Sequence, residues 1–350
     1  MNPVNGEISK SESNKHNRIS YFDFLRGVAI LMVVGIHTYP DTYTMTGGIS
    51  DFLSLFTINF LNCAVPLFLA LSGFFIARRK FTSFSDISSF WKKQIPVVYI
   101  PCLIFSLPMF INDLISINCI LSGGVIKTIL NYFLCGYSIY YFIALIIQCY
   151  LLAPVLIKYD NKRTLLIVAV ISLISIIFLD YIRFVKGIDL KLIIRGSFPP
   201  LLIFFYIGIF LSRRNRNYSL LIPIIMIVIG LIVGIMQTEF IREHYGISGG
   251  GQKVSLYLFD VGFILFCLSE KVEKSFRENR LTKILLYIGE ISFGIYFTHP
   301  FIIRIVKSYI PLLQNQWIIP WLMSVLLTIL LIAGIKKIVP EFSRKYLGYR

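Results

Sequence analysis

Apolar residues gather along this chain in ten long runs separated by short polar segments, at approximately 20–39, 58–77, 94–112, 138–157, 164–182, 197–212, 219–237, 253–269, 284–306 and 317–335. A helix crosses the hydrocarbon of a bilayer with about 20 mostly apolar residues. The pattern therefore predicts an all-α, polytopic integral membrane protein of about ten transmembrane helices. The runs divide the chain into a polar tail, 1–19, a membrane domain, 20–338, and a short basic tail, 339–350. The opening MNPVNGEISKSESNKHNRIS has no short apolar core followed by a small-residue cleavage site, so the first run is expected to stay in the membrane.

Composition supports this class. Of 350 residues, 56% are hydrophobic, with 30 Phe and 20 Tyr, which excludes a soluble domain. Positive charge settles in cytoplasmic loops. Counted on alternate sides of ten spans, 24 of the 34 Lys and Arg fall on the N-terminal side and nine on the other, with Arg26 inside the first run. Both termini are therefore expected in the cytoplasm, and the net charge of +16 is explained by the bilayer without nucleic acid.

The first run, YFDFLRGVAILMVVGIHTYP, carries the chemistry. Arg26 and His37 stand eleven residues apart, about three helical turns, so they share a face with a rise of roughly 16 Å between them. An ionisable residue within a span is costly and marks a pathway, a partner or a reaction. The plainer readings are an arginine that snorkels to headgroups and an interfacial histidine at a helix end. His299, in the ninth run, is a second intramembrane histidine, either a secondary polar site or a packing residue. Glu290 and Asp260 are candidate buried carboxylates of the kind that orient an imidazole, and with His299 they form the candidate secondary polar site, whereas His16 and His244 fall in a tail and a loop.

Six cysteines lie mostly inside apolar runs, with no C-x-x-C and no histidine at metal spacing, so no metal is expected. Small core residues are their simplest reading. Cys119 and Cys135, flanking one loop, would pair in an oxidising compartment. There is no GxGxxG, Walker sequence, GxSxG or visible repeat, and no tightly bound cofactor is expected. The loop between the fifth and sixth runs sets Arg183, Lys186, Lys191 and Arg195 against Asp180 and Asp189. Lipid phosphates explain these cations plainly; an anionic acceptor is the sharper explanation.

Read together, the first run, VPLFLALSGFFIARRK (65–80), YYFIALIIQCYLLAPVL (140–156), FFYIGIFLSRR (204–214) and GEISFGIYFTHPFI (289–302) resemble the membrane acyltransferase 3 family, over about residues 18 to 340. These are bacterial proteins that move acetyl or other short acyl groups onto surface glycans. The resemblance implies His37 as catalytic base and Arg26 as an arginine engaging an acyl-CoA donor, acetyl-CoA before longer chains. It extends the donor-binding role to Arg78 and Arg79, which are adjacent here where the family has Arg-x-x-Arg. It implies a cell-surface polysaccharide or lipid-linked glycan as acceptor, and a location in the inner (cytoplasmic) membrane. Some members add a soluble esterase-like domain; none is expected after SRKYLGYR, so transfer is expected within the membrane domain, directly or through an acyl-histidine. The chemistry agrees, since a neutral imidazole suits a hydroxyl proton and guanidinium suits phosphates. A transporter or flippase for a lipid-linked saccharide is the alternative, as intramembrane ionisable residues also mark transport pathways; a silent scaffold is a third reading. The oligomeric state is left open.

Overall fold

A computed structural model describes residues 3–39, 49–116, 124–188, 196–246, 250–310 and 316–349. Among them every regular element is helical. In chain order come α1 (Pro3–Thr38), α2 (Ile49–Leu61), α3 (Ala64–Ile76), α4 (Phe84–Leu114), α5 (Val125–Phe133), α6 (Tyr141–Lys158) and α7 (Lys162–Asp180). Then follow α8 (Leu202–Ser212), α9 (Leu221–Tyr245), α10 (Leu256–Cys267), α11 (Glu270–Ser275), α12 (Arg280–Glu290), α13 (Ser292–Tyr309), α14 (Ile318–Ile338) and α15 (Pro340–Tyr346).

The chain is a multi-pass membrane protein, but its apolar runs are not ten equal spans. Among the described residues seven helices are long and apolar enough to cross a bilayer. The ninth run is instead the pair α12 and α13, bent by 81°, and the sixth and eighth are the shorter helices Pro199–Ser212 and Leu256–Cys267. Hydropathy does not separate a residue that faces lipid from one that faces protein. Most of α8 is buried, from Leu202 through Ile209. It crosses α3 so closely that a methyl group on Gly73 would stand 2.0 Å from the Phe205 carbonyl oxygen, and one on Gly208 1.9 Å from that of Ala70.

Both expected tails are also more structured than polarity suggests. Residues 3–19 continue the backbone of α1. Residues 339–350, read as a basic tail, turn back into the bundle as far as they are described. Pro340 suits the first turn of α15. At its other end Leu347 and Tyr349 both donate backbone N–H groups to the Ser343 carbonyl at 3.1 Å, around Gly348 at φ +71°. This left-handed closure sends the chain inward, and Tyr349 is buried with its hydroxyl 2.8 Å from Thr298 Oγ1. Because Thr298 donates to the Gly294 carbonyl (2.9 Å), Tyr349 is the donor in the second bond.

Cys135 has a buried thiol that meets Cys102 of α4, and Cys119, its expected partner, lies outside the described residues. Lys191, Arg195 and Asp189 also lie outside them. Of the rest of that loop region, Asp180 is buried and accepts the Val254 N–H at 2.8 Å.

Orientation is open to direct measurement. With the native cysteines replaced, a cysteine at Thr82 is expected to resist a membrane-impermeant maleimide in intact cells, and one at Lys186 to react. The opposite labelling would overturn the placement of both termini in the cytoplasm.

Candidate active site

One face of α1 lines a cavity of about 630 Å³ that contains Arg26 and His37 among its walls. The opposite face is fastened. Trp321 and Trp317, at the start of α14, donate their indole N–H groups to the Leu31 and Gly35 carbonyls of α1, both at 3.0 Å. At the Arg26 end, α12 crosses α1 in near backbone contact. A methyl group on Gly289 would stand 1.8 Å from the Asp23 carbonyl oxygen, and one on Gly27 2.1 Å from that of Leu285. The bend between α12 and α13 follows this crossing and brings Glu290 and Ser292 to the cavity wall.

The Arg26 end of the cavity is polar. Arg26 donates to Asp23 Oδ1 at 2.5 Å, and its guanidinium lies 4.8 Å from the centre of the Phe75 ring. An arginine costs about 2.5–3.5 kcal/mol at a span centre on insertion scales, and less toward a span end, where Arg26 stands. A carboxylate one turn away and a cation–π contact of about 0.5–2 kcal/mol offset much of that. Glu290 and Lys336 line the same end. Arg78 lies over Phe75 as well, at 5.7 Å, so Arg26 and Arg78 share one ring; Arg79 lies over Phe90 at 5.2 Å. Arg26 is thus in the cavity wall, whereas Arg78 and Arg79, held over rings that are not part of that wall, are not among the residues lining it.

Beyond this end the walls become apolar, with Val33, Val65, Phe68, Phe142 and Ile146, and then reach the exposed His37. His37 faces His299 of α13, their ring centres 5.5 Å apart and their planes inclined at 34°. His299 is fully buried. Its helix is tied to the wall one turn earlier, where Tyr296 donates to the Ile139 carbonyl (2.6 Å) and Tyr140 donates to that of Phe297 (3.1 Å).

The cavity therefore brings together Arg26, His37 and Glu290 of the residues expected from sequence, with His299 directly behind His37. Asp260 is not among its walls. It sits on α10, buried, accepting from Gln252 at 2.8 Å. Sequence reasoning passed over Asp23 and Lys336. The signal for Asp23 was a carboxylate three residues before an intramembrane arginine; Lys336 was hidden among the cations that end a span for topological reasons.

The family model of the acyltransferase 3 domain, described as an acyltransferase domain, matches residues 19–336. A serine/alanine racemase of Enterococcus gallinarum is 26% identical over 327 residues, covering 88% of this chain. The chain spans only 44% of that protein's length. No solved structure matches it. The matched range takes in every wall of the cavity from Asp23 to Lys336, and the chain belongs to the acyltransferase 3 family of membrane proteins.

Proposed function

We propose that this protein transfers an acetyl or other short acyl group from acyl-CoA to a hydroxyl of a cell-surface polysaccharide or lipid-linked glycan, in the inner membrane. The observation that carries this reading is a single cavity with a histidine at one end, Arg26 and Lys336 beside the carboxylates Asp23 and Glu290 at the other, and mainly apolar walls between them. His37 takes the acceptor hydroxyl's proton as the oxygen attacks the thioester carbonyl. The new C–O bond forms as the C–S bond breaks, and the imidazolium returns its proton to the leaving thiolate. Arg26 engages donor phosphate through charge-assisted hydrogen bonds, and Lys336 adds charge at the same mouth.

Transfer of labelled acetyl from acetyl-CoA to isolated glycan in proteoliposomes, with NMR of the host's surface glycan with and without the protein, tests the reading. Loss of one acyl ester supports it. Loss of the whole glycan with normal acylation of what remains would favour a transporter for a lipid-linked saccharide.

Donor binding supplies a residue-level check. A hydrogen bond to a charged group contributes about 1.5–3 kcal/mol, so Arg26→Ala is expected to weaken acyl-CoA binding by roughly 10- to 150-fold. Arg26→Lys recovers only part of this, because ammonium lacks the planar fork. Arg78→Ala and Arg79→Ala have smaller effects, since neither residue is in the cavity wall. Calorimetric titration with acyl-CoA measures all four. Unchanged binding in Arg26→Ala would remove the donor site from this end.

A further inference from the structure

We infer that His299 is the positioning residue of the reaction, fixing which nitrogen of His37 faces the cavity as a base. The inference rests on the reading of His37 as base and assigns what holds it.

The argument starts in the backbone of α13. Pro300 has no N–H, so the Tyr296 carbonyl lacks its helical donor. One residue earlier, His299 turns its ring back along the helix, and Nδ1 lies 2.9 Å from the Ile295 carbonyl oxygen. A carbonyl only accepts, so Nδ1 carries the proton and in the neutral ring Nε2 keeps a lone pair. That nitrogen is buried and has no hydrogen-bond partner. A buried acceptor of this kind calls for a donor.

The ring beside it is His37, at 5.5 Å between centres. The separation suits imidazoles meeting edge to edge and is long for stacked ones. With one ring N–H of His37 directed at His299 Nε2, the other His37 nitrogen holds a lone pair on the cavity side. The pair works as a carboxylate–histidine pair does, orienting the base and selecting its tautomer, but with a neutral acceptor. As His37 takes up the acceptor proton, its N–H donates from a cation and the bond to His299 strengthens. His299 touches neither donor nor acceptor and acts only through His37.

Three variants of the full-length protein in detergent or proteoliposomes test this. Glutamine carries its amide carbonyl out to about where Nε2 stands, whereas asparagine reaches only as far as Nδ1. His299→Ala and His299→Asn are expected to lower kcat about 100-fold, the scale of a misaligned general base, with KM for acyl-CoA within about twofold. His299→Gln is expected to recover at least tenfold of that loss. A second readout needs no turnover: the rate at which diethyl pyrocarbonate modifies His37, followed by peptide mass spectrometry without substrates. It should fall in the Ala and Asn variants and recover in Gln.

Equal behaviour of Asn and Gln, or near-parental kcat in Ala, would overturn the inference. The Asn–Gln contrast compares side chains of the same polarity, so it holds even if Ala fails to fold. A parent protein that moves no acyl group, yet whose His37 modification follows the Asn–Gln pattern, would remove the acyltransfer reading and keep the histidine pair. Transfer by the parent without that pattern would do the reverse.

Discussion

Replacing His37 with alanine is expected to lower acyl transfer by roughly 10²- to 10⁴-fold, the usual contribution of a positioned acid–base group, with acyl-CoA binding close to that of the parent. The split follows from the layout of the cavity. His37 lies three helical turns from Arg26, about 16 Å along α1, and the walls between them are mainly apolar. Removing an imidazole at one end takes away the proton acceptor of the transition state while the cations at the other end keep their geometry. A loss confined to kcat, with binding intact, is the signature of an interaction made only in the transition state. Single-turnover transfer and acyl-CoA titration on one purified sample measure both quantities. Near-parental transfer by His37→Ala would end its assignment as base, and with it the orienting role given to His299.

A methyl group at Gly289 should be nearly as damaging from farther away. It would stand 1.8 Å from the Asp23 carbonyl oxygen, and backbone cannot move aside as a flexible side chain does. The helices must separate. Overpacking typically costs about 1–3 kcal/mol and sometimes more, and here the displaced segment carries Asp23 and Arg26. Gly289→Ala is therefore expected to lower thermal stability and to weaken acyl-CoA binding at least tenfold, with Gly289→Val worse in both. Gly334→Ala on α14 is the matched control, because nothing lies within 4 Å of the added carbon. It should be neutral or slightly stabilising, as alanine in a helix interior is favoured over glycine by about 0.5–1 kcal/mol. Melting by light scattering and titration with acyl-CoA check the pair of variants together. A Gly289→Ala protein as stable and as tight-binding as Gly334→Ala would show that the crossing does not hold the site.

The membrane class, most of the apolar helices and the vertical relation of Arg26 to His37 were legible in the residues alone. These are properties of single helices, set by local hydropathy and by the 3.6-residue repeat, and need no knowledge of neighbours. Asp23 was legible on the same terms, one turn from Arg26, and was overlooked because first-turn carboxylates at a span edge look ordinary. The features that needed packing to be seen involve pairs of distant segments. Asp260 and Glu290 were equal as companions for the histidine until packing placed Glu290 in the cavity wall and buried Asp260 against Gln252. His299 met His37 only because α13 is bent away from α12 and tied to Ile139 and Tyr140. The burial of α8, and of Tyr349 in a segment that looks like a polar tail, came from close backbone approach at glycines and from a left-handed turn at Gly348. Hydropathy assigns each residue a preference for leaving water, but not the surface it leaves water for. In a chain where lipid and protein interior are equally apolar, that choice belongs to shape.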